Sequence, residues 1–578
     1  MKRKTCAPPL GFASRAAVAG VALKQIFSGG ACAVAALALF SGLVATAAES
    51  NATVVSHAES NPDAASSTPP ASPPVAPAPT PDMISDEPLI GPVATRHEIK
   101  IGGAKVVYTA TFAEAPLNDA SGQLQATISS TAYVVERVPD RANRPVLFLF
   151  NGGPGASSSP LHFGAFGPRR LTDERDHAGQ RKLVDNSYSL LDVTDLVFID
   201  PVGTGFSRER PGVRSGAYWS VEGDAAAALQ LIRKWLIDNE RGGSPVFIAG
   251  ESYGGFRLAT MLKDAGDLPI AGLILISPML DASGSADTTG NDQPYIFGLP
   301  SMAVAAWEHN KIDRAGRTIE QVYAQAERFA QSDYAVALQQ GSLLAAAERD
   351  RIVARMVALI GLPARTIAAA NLRIDTQSFL EKLLAADGLI VGRLDTRVTA
   401  PKPDPAKAPK RPPGANDPAL GLGASNIIKS EPIKAYMEGE LGVRTARDYL
   451  SLTLDINFRW NWQGAGGSPR FYFNSTPNIA AAMAWQPQMR VLLVGGYYDM
   501  AVPLLGPRYA LTHAGVPMER VTMHAFVAPH SAFQGEANLA TGSAVVRDFV
   551  RGATVAALAT PAAPKVPAPT PVAAGAGE

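Results

Sequence analysis

Cysteine is almost absent from this 578-residue chain: there are two, Cys6 and Cys32, both within the first 47 residues. Disulfides are therefore excluded as the scaffold of the rest, whose stability must come from core burial. Long apolar runs are missing as well. Beyond the front segment no stretch reaches about 18 uninterrupted apolar residues, too few for a comfortable membrane span. No GxGxxG, GKS or GKT pattern accompanies the glycines, the histidines lack metal-ligand spacing, and no repeat has a solenoid period. A nucleotide site, a metal centre and a repeat array each lack their signature, and no cofactor is expected. An excess of positive charge is lacking too: 52 basic residues balance 52 acidic ones, and after residue 47 the balance is 47 against 52. That argues against nucleic acid as a partner.

The front itself carries Lys2, Arg3 and Lys4, an apolar stretch over 31–43, and Ala45-Thr46-Ala47 before Ala48-Glu49. This pattern predicts an export signal over 1–47, removed on the way to the periplasm or the exterior; an uncleaved anchor is the alternative. Residues 51–92 hold ten prolines among Ala, Ser and Thr, so 48–95 is expected to be a disordered tether. A second Pro-rich stretch, 401–418, with Lys402, Lys407, Lys410 and Arg411, reads as an exposed loop, and 557–578 as a disordered tail.

Between the tethers, strand and helix signals alternate. Residues 104–112 and 124–135 predict leading antiparallel strands, and 146–150, 196–200, 245–249 and 271–276 predict buried ones. A helix is expected over 221–238. Strand, helix, strand in this rhythm implies right-handed crossovers and a mostly parallel sheet, an α/β fold flanked by helices. From about 281 to 478 the apolar spacing becomes helical, as in Leu343, Leu344, Val353, Met356, Val357 and Ile360 before Gly361 and Pro363. The expected organisation is a core of 96–280 and 479–556 interrupted by a mostly helical cap, 281–478. A cap at that point would close a pocket and exclude water.

Gly250-Glu251-Ser252-Tyr253-Gly254-Gly255 sits at the junction of a predicted strand and helix. Serine between glycines at such a turn presents its hydroxyl above the sheet, because the sharp bend leaves no room for side chains at Gly250 and Gly254. Ser252 is the candidate nucleophile. An activated serine needs a base and an acid that orients it, in the chain order Ser, acid, His. Asp499, after the strand signal 491–494 and the Gly495-Gly496 turn, is the candidate acid; His530, in Ala528-Pro529-His530-Ser531 after the strand signal 520–527, is the candidate base. His524 competes, but it lies inside the strand signal and reads as a sheet histidine. Acyl transfer further needs donors facing the developing oxyanion, and the N–H groups of Gly153, in Asn151-Gly152-Gly153-Pro154-Gly155, and of Tyr253 are expected there. The aromatic set Phe458, Trp460, Trp462, Phe471, Tyr472 and Phe473 is compatible with lining a pocket and with core packing.

NGGPGASS, the segment IDPVGTGFS at 199–207, GESYGG, Asp499 in GYYDMAVPLLG and the late His530 together resemble the serine carboxypeptidase family, over roughly 124–550. The resemblance implies the α/β-hydrolase fold, an exported bacterial-type enzyme and removal of C-terminal residues from peptide substrates, with the triad Ser252, Asp499, His530 and the oxyanion donors Gly153 and Tyr253. It also implies that Asn151, Gly152 and Glu251 read the substrate's terminal carboxylate, the glutamate sharing a proton with a second acid.

At that second position, however, stands Ala165. Leu149 replaces a usual tryptophan, Ala156 a usual cysteine, and Pro529 a glycine before His530. Lacking its like-charge neighbour, Glu251 is expected to lose what raises its pKa, giving a less acidic activity optimum than the family implies. A compensating cation is sought at Arg257, five residues past the serine, or at Arg169 and Arg170. An esterase or acyltransferase on the same fold uses the same acyl-enzyme and stays open beside the carboxypeptidase; a catalytically silent binding protein is disfavoured by the complete set of site residues.

Overall fold

The computed structural model describes residues 81–559 apart from 176–180, 214–216, 286–287, 405, 407–410, 412, 423–424 and 463–472. The expected signal, most of the expected tether, most of the tail, both cysteines, Phe471 and Tyr472 lie outside the described residues.

Nine strands form the main sheet: β1 (Val93–Ile101), β2 (Ala104–Asn118), β3 (Leu124–Val135), β4 (Val146–Phe150), β5 (Asp195–Asp200), β6 (Val246–Glu251), β7 (Ile270–Ile276), β8 (Arg490–Gly496) and β9 (Val521–Phe526), in the order β1-β2-β3-β5-β4-β6-β7-β8-β9. The first three strands and their contact with β5 are antiparallel; every pair from β5 to β9 is parallel. The chain thus forms the mostly parallel, helix-flanked sheet of the α/β-hydrolase fold.

Parallel strands covered on both faces read as continuous apolar runs rather than alternating ones. In β4 all five residues are buried. Val146, Phe148 and Phe150 point into a cluster shared with Leu229, Ile232 and Trp235 of helix α1 (Val221–Asp238) and Leu258 of helix α2 (Tyr253–Met261), while Leu147 and Leu149 join the opposite cluster, with Val546 and Val550 of a C-terminal helix. Helix α1 starts where expected because Ser220 caps it, its hydroxyl accepting from Gly223 N–H at 3.2 Å.

Two expectations need amending. β2 runs six residues past 112, and β1, unforeseen, pairs with it through nine registered partners. The β1 run Val93-Ala94-Thr95-Arg96-His97-Glu98-Ile99-Lys100-Ile101 carries four ionisable side chains, as an edge strand with one solvated face requires. The stretch 281–478 does contain helices, among them α3 (Gln293–Glu308), α4 (Ile319–Phe329, with a Thr318–Gln321 capping box) and α5 (Ala346–Ile360), which Gly361 ends at φ 70°. From Leu389 onward it also forms two short antiparallel pairs, Leu389–Val391 with Thr399–Pro401 and Ile427–Lys429 with Leu450–Thr453. The prolines of 401–418 keep regular helix out of that stretch, and helix returns only at Glu431–Gly439. Tyr498 and Met500, on either side of Asp499, pack into the apolar cluster of α3, α4 and α5, so this helical layer is anchored on the loop after β8.

Candidate active site

Glu251 ends β6 and Tyr253 begins α2; Ser252 between them has φ 61° and ψ −126°. A non-glycine residue in that region costs on the order of 1–3 kcal/mol and persists only where its surroundings over-determine it. Three backbone hydrogen bonds do so: Ser252 N–H to Ile276 O at 2.9 Å, Gly255 N–H to Ser252 O at 2.9 Å, and Met279 N–H to Ser252 O at 3.0 Å. The glycines answer to close approach. A Cβ on Gly250 would stand 2.3 Å from Gly254 O, and one on Gly152 would stand 2.4 Å from Tyr253 N. That second approach lays the loop after β4 against the first turn of α2. Helix-start N–H groups have no intrahelical partner, so the Tyr253 N–H is left for another acceptor, and Gly153 lines the same cavity.

Asp499 and His530 follow β8 and β9, adjacent parallel strands, and meet at their C-terminal ends: His530 Nδ1 lies 2.7 Å from Asp499 Oδ2. The other carboxylate oxygen accepts from Ala501 N–H at 2.7 Å and Val502 N–H at 2.9 Å. Asp499 is fully buried. His530 is held by its backbone too, donating N–H to Leu394 O at 2.8 Å while its carbonyl accepts from Ser277 Oγ at 2.7 Å. Burial pushes the imidazole pKa down, but the Asp499 charge and hydrogen bond outweigh it, and the net displacement is upward. His524, in β9, is a half-buried sheet residue leaning on Phe526.

A cavity of about 580 Å³ opens above these strand ends. It brings together Ser252, His530, Asn151, Gly152, Gly153, Tyr253 and Glu251, with Asp499 behind the histidine. Glu251 is buried, and its carboxylate accepts from Ser531 Oγ at 3.1 Å. Ala165 and Leu149 both sit in one apolar cluster, so no second acid comes from there. The expectation that Glu251 would thereby lose its raised pKa is corrected: burial itself pushes the carboxyl up to about 7, the Asp499 charge adds to this, and His530, Ser531 and Asn151 oppose it.

Arg257 is not brought to the cavity. It is buried, its Nε 2.6 Å from Asp224 Oδ2 and its Nη1 donating to Asn151 O at 2.6 Å. A cation committed to a buried carboxylate cannot leave it without a large desolvation cost, so Arg257 anchors the Asn151 loop from beneath. Arg169 pairs with Asp185 and Glu440, and Arg170 with Glu536. Trp460 and Trp462 pack edge-on to Tyr253, at 5.1 and 5.7 Å between ring centroids, and thereby brace the turn; Phe458 lines the cavity.

Ser531 and Arg393, both lining the cavity, are among the residues that sequence reasoning missed. Ser531 had its adjacency to His530 as a signal. Arg393 had none, since a Gly-Arg-Leu-Asp segment in a region read for helical spacing marks no chemistry.

Residues 126–314 match the family model described as serine carboxypeptidase. Among curated proteins the chain is similar to serine carboxypeptidase-like 13 of Arabidopsis thaliana, 28% identical over 174 residues, which are 29% of this chain and 39% of that protein. It is also similar to serine carboxypeptidase-like 36 of the same plant, 34% identical over 128 residues, 21% of this chain and 24% of that one. The matches therefore span well under half the length of these relatives. Solved structures that align include a prohormone-processing carboxypeptidase, Kex1, of Saccharomyces cerevisiae, at TM-score 0.46 and 14% identity over 77% of this chain and 91% of that one. A putative aryl esterase from Burkholderia cenocepacia aligns at TM-score 0.32 and 11% identity, over 76% and 99%. The family resemblance read from the motifs is borne out over 126–314, which holds the glycine loop and the serine elbow. Asp499 and His530 lie beyond the match and rest on the geometry above.

Proposed function

We propose that this chain is an exported serine carboxypeptidase that releases C-terminal residues from peptides through an acyl-enzyme on Ser252. The family match and the fold support peptidase- or esterase-type hydrolysis. The observation that carries the finer reading is the single cavity lined by Ser252, His530 and the buried Glu251, whose carboxyl burial pushes up to about 7. In this reading Ser252 Oγ attacks the scissile carbonyl carbon and its proton passes to His530 Nε2. Asp499 holds the Nδ1–H tautomer, and the Gly153 and Tyr253 N–H groups receive the oxyanion. Collapse breaks the C–N bond as His530 returns the proton to the leaving amine; water then attacks the ester, again through His530, and frees the acid and Ser252. Glu251 in its protonated form donates to the terminal carboxylate of the departing residue, beside Asn151 and Gly152. Export is read from the basic and apolar front alone. Among the described residues no helix is long and apolar enough to cross a membrane.

The test is a substrate panel: an N-acetylated dipeptide, its C-terminal amide and a simple ester. Release of the last residue from the free acid in preference to the amide is the expected result; cleavage of the ester alone would move the assignment to an esterase.

The titrations add a pH prediction. The base must be neutral, so the rate falls as pH drops through the raised His530 pKa, and Glu251 must be protonated, so it falls again as pH rises through about 7. Because the two groups interact, the profile reports the pair. An optimum of kcat/KM near neutrality is expected for free-acid peptides, with the alkaline limb missing in Glu251→Gln; a sharp optimum at about pH 4 to 5 would refute it.

A further inference from the structure

A carboxylate entering the cavity meets a charge problem. Glu251 brings a potential negative charge and the missing second acid at Ala165 brings no shared proton, while much of the remaining wall is apolar, including Leu420, Ile428, Leu454 and Phe458. Burying an anion beside apolar groups is strongly unfavourable unless a cation or several donors meet it. Arg257, Arg169 and Arg170 are all occupied elsewhere.

One other guanidinium faces the space. Arg393 lines the same cavity as Ser252, Glu251 and His530. Among the described residues it has no ion-pair or hydrogen-bond partner for its side chain, and its buried Nε is unsatisfied. Its charge reaches the catalytic end of the cavity, for it bears on the His530 imidazole, opposing protonation. Its backbone is pinned to both loops of the acid and the base: Met500 N–H donates to Arg393 O at 3.0 Å, and His530 N–H to Leu394 O at 2.8 Å. Asp417 secures the segment from the other side, its carboxylate accepting from Arg393 N–H at 3.0 Å and Leu394 N–H at 2.9 Å. The Asp417 carboxylate is therefore spent on backbone amides, and the backbone that carries the guanidinium, which lies beside Gly414, is held in register with His530 rather than swinging on a free loop. Half-buried, with its Nε enclosed and without a partner, and carried on a backbone fixed relative to His530, such a cation is prepared for an incoming anion.

We propose that Arg393 binds the C-terminal carboxylate of the substrate, supplying from the segment that follows Leu389–Val391 the charge complement that a second acid at position 165 would otherwise share with Glu251. The inference deepens the carboxypeptidase reading and rests on it. It makes the specificity twofold: Arg393 provides a planar, donor-rich cation, and Glu251 provides the part that varies with pH.

The experiment compares Arg393→Gln and Arg393→Lys with the parent, each checked for a native circular-dichroism spectrum and melting curve. Turnover is measured on N-acetyl-dileucine and on its C-terminal amide. Binding of the same two compounds is measured by calorimetry in a Ser252→Ala background. A hydrogen-bonded charge pair of this kind leads us to expect that Arg393→Gln weakens free-acid binding and kcat/KM roughly 10- to 100-fold. The amide should change by less than about threefold, and the lysine variant should recover part of the loss. Equal losses on acid and amide, or no preference for the acid in the Ser252→Ala parent, overturn the role of Arg393. The two readings fail separately. Acid-selective binding that depends on Arg393, in a protein that cleaves only esters, sinks the peptidase assignment and keeps the arginine. Normal acid cleavage by Arg393→Gln does the reverse.

Discussion

Replacing Ser252 by alanine should lower kcat by a factor on the order of 10^6 while leaving the fold intact. The hydroxyl is the only group of the elbow that forms a bond to substrate in the proposed reaction. The turn around it is built from backbone hydrogen bonds to Ile276, Gly255 and Met279, none of which involves Oγ. Alanine inherits φ 61° at the same conformational cost as serine, so the melting temperature should move little. Residual turnover should survive, because the N–H pair at Gly153 and Tyr253 still stabilises a tetrahedral intermediate formed by water. The same logic makes the triad non-additive: Ser252→Ala combined with His530→Ala should be no slower than either change alone. Steady-state kinetics on an activated ester, with a fluorophosphonate label that reacts only with an activated serine, would check both statements. More than a tenth of the parent rate in Ser252→Ala, or undiminished labelling, would place the nucleophile elsewhere.

Asp499→Asn should cost about 10^4-fold in kcat with little change in KM, and the reason is legible in the hydrogen bonds. The carboxylate is fully buried and uses Oδ1 for the Ala501 and Val502 N–H groups and Oδ2 for His530 Nδ1. An asparagine must keep its oxygen towards the two amides, since its NH2 group cannot accept from them. The NH2 then faces His530 Nδ1 and forces the proton onto Nε2, the atom that has to receive the serine proton. The loss of the anion also leaves burial opposed only by the weaker Glu251 charge, so the imidazole pKa should fall and the acid limb of the residual activity should move to lower pH. A variant with wild-type kcat, or an acid limb shifted upward, would show that Asp499 does not orient this base.

How much of this was visible in one dimension depended on the range of the interaction. The helix over Val221–Asp238 and the strands β4 to β9 are short, locally consistent segments, and periodicity finds such segments well. The edge strand β1 escaped because a solvated strand with four ionisable side chains looks like linker; only its partner β2 makes it a strand. The second half of the cap escaped for the opposite reason. Its pieces Leu389–Val391 and Ile427–Lys429 are three residues each, below any periodic signal, and they are paired by tertiary placement. Glu251 is the most instructive residue. Its position beside the nucleophile was plain, yet the source of its raised pKa was sought in a neighbouring acid, whereas burial provides it, and burial is a property of the whole fold.

Ser252 at its elbow, the glycine loop that supplies Gly153, and the order in which acid and base follow are written in the sequence by itself. Each depends on residues a few positions apart or on the ends of adjacent strands, where chain geometry leaves few options. Which arginine meets the substrate was decided only in three dimensions. Arg257, close to the serine in sequence, is drawn beneath the sheet edge by Asp224, while Arg393, far from it, is carried into the cavity by hydrogen bonds to the loops after β8 and β9. A charge goes where its desolvation is compensated, and that balance is set by contacts between distant parts of the chain.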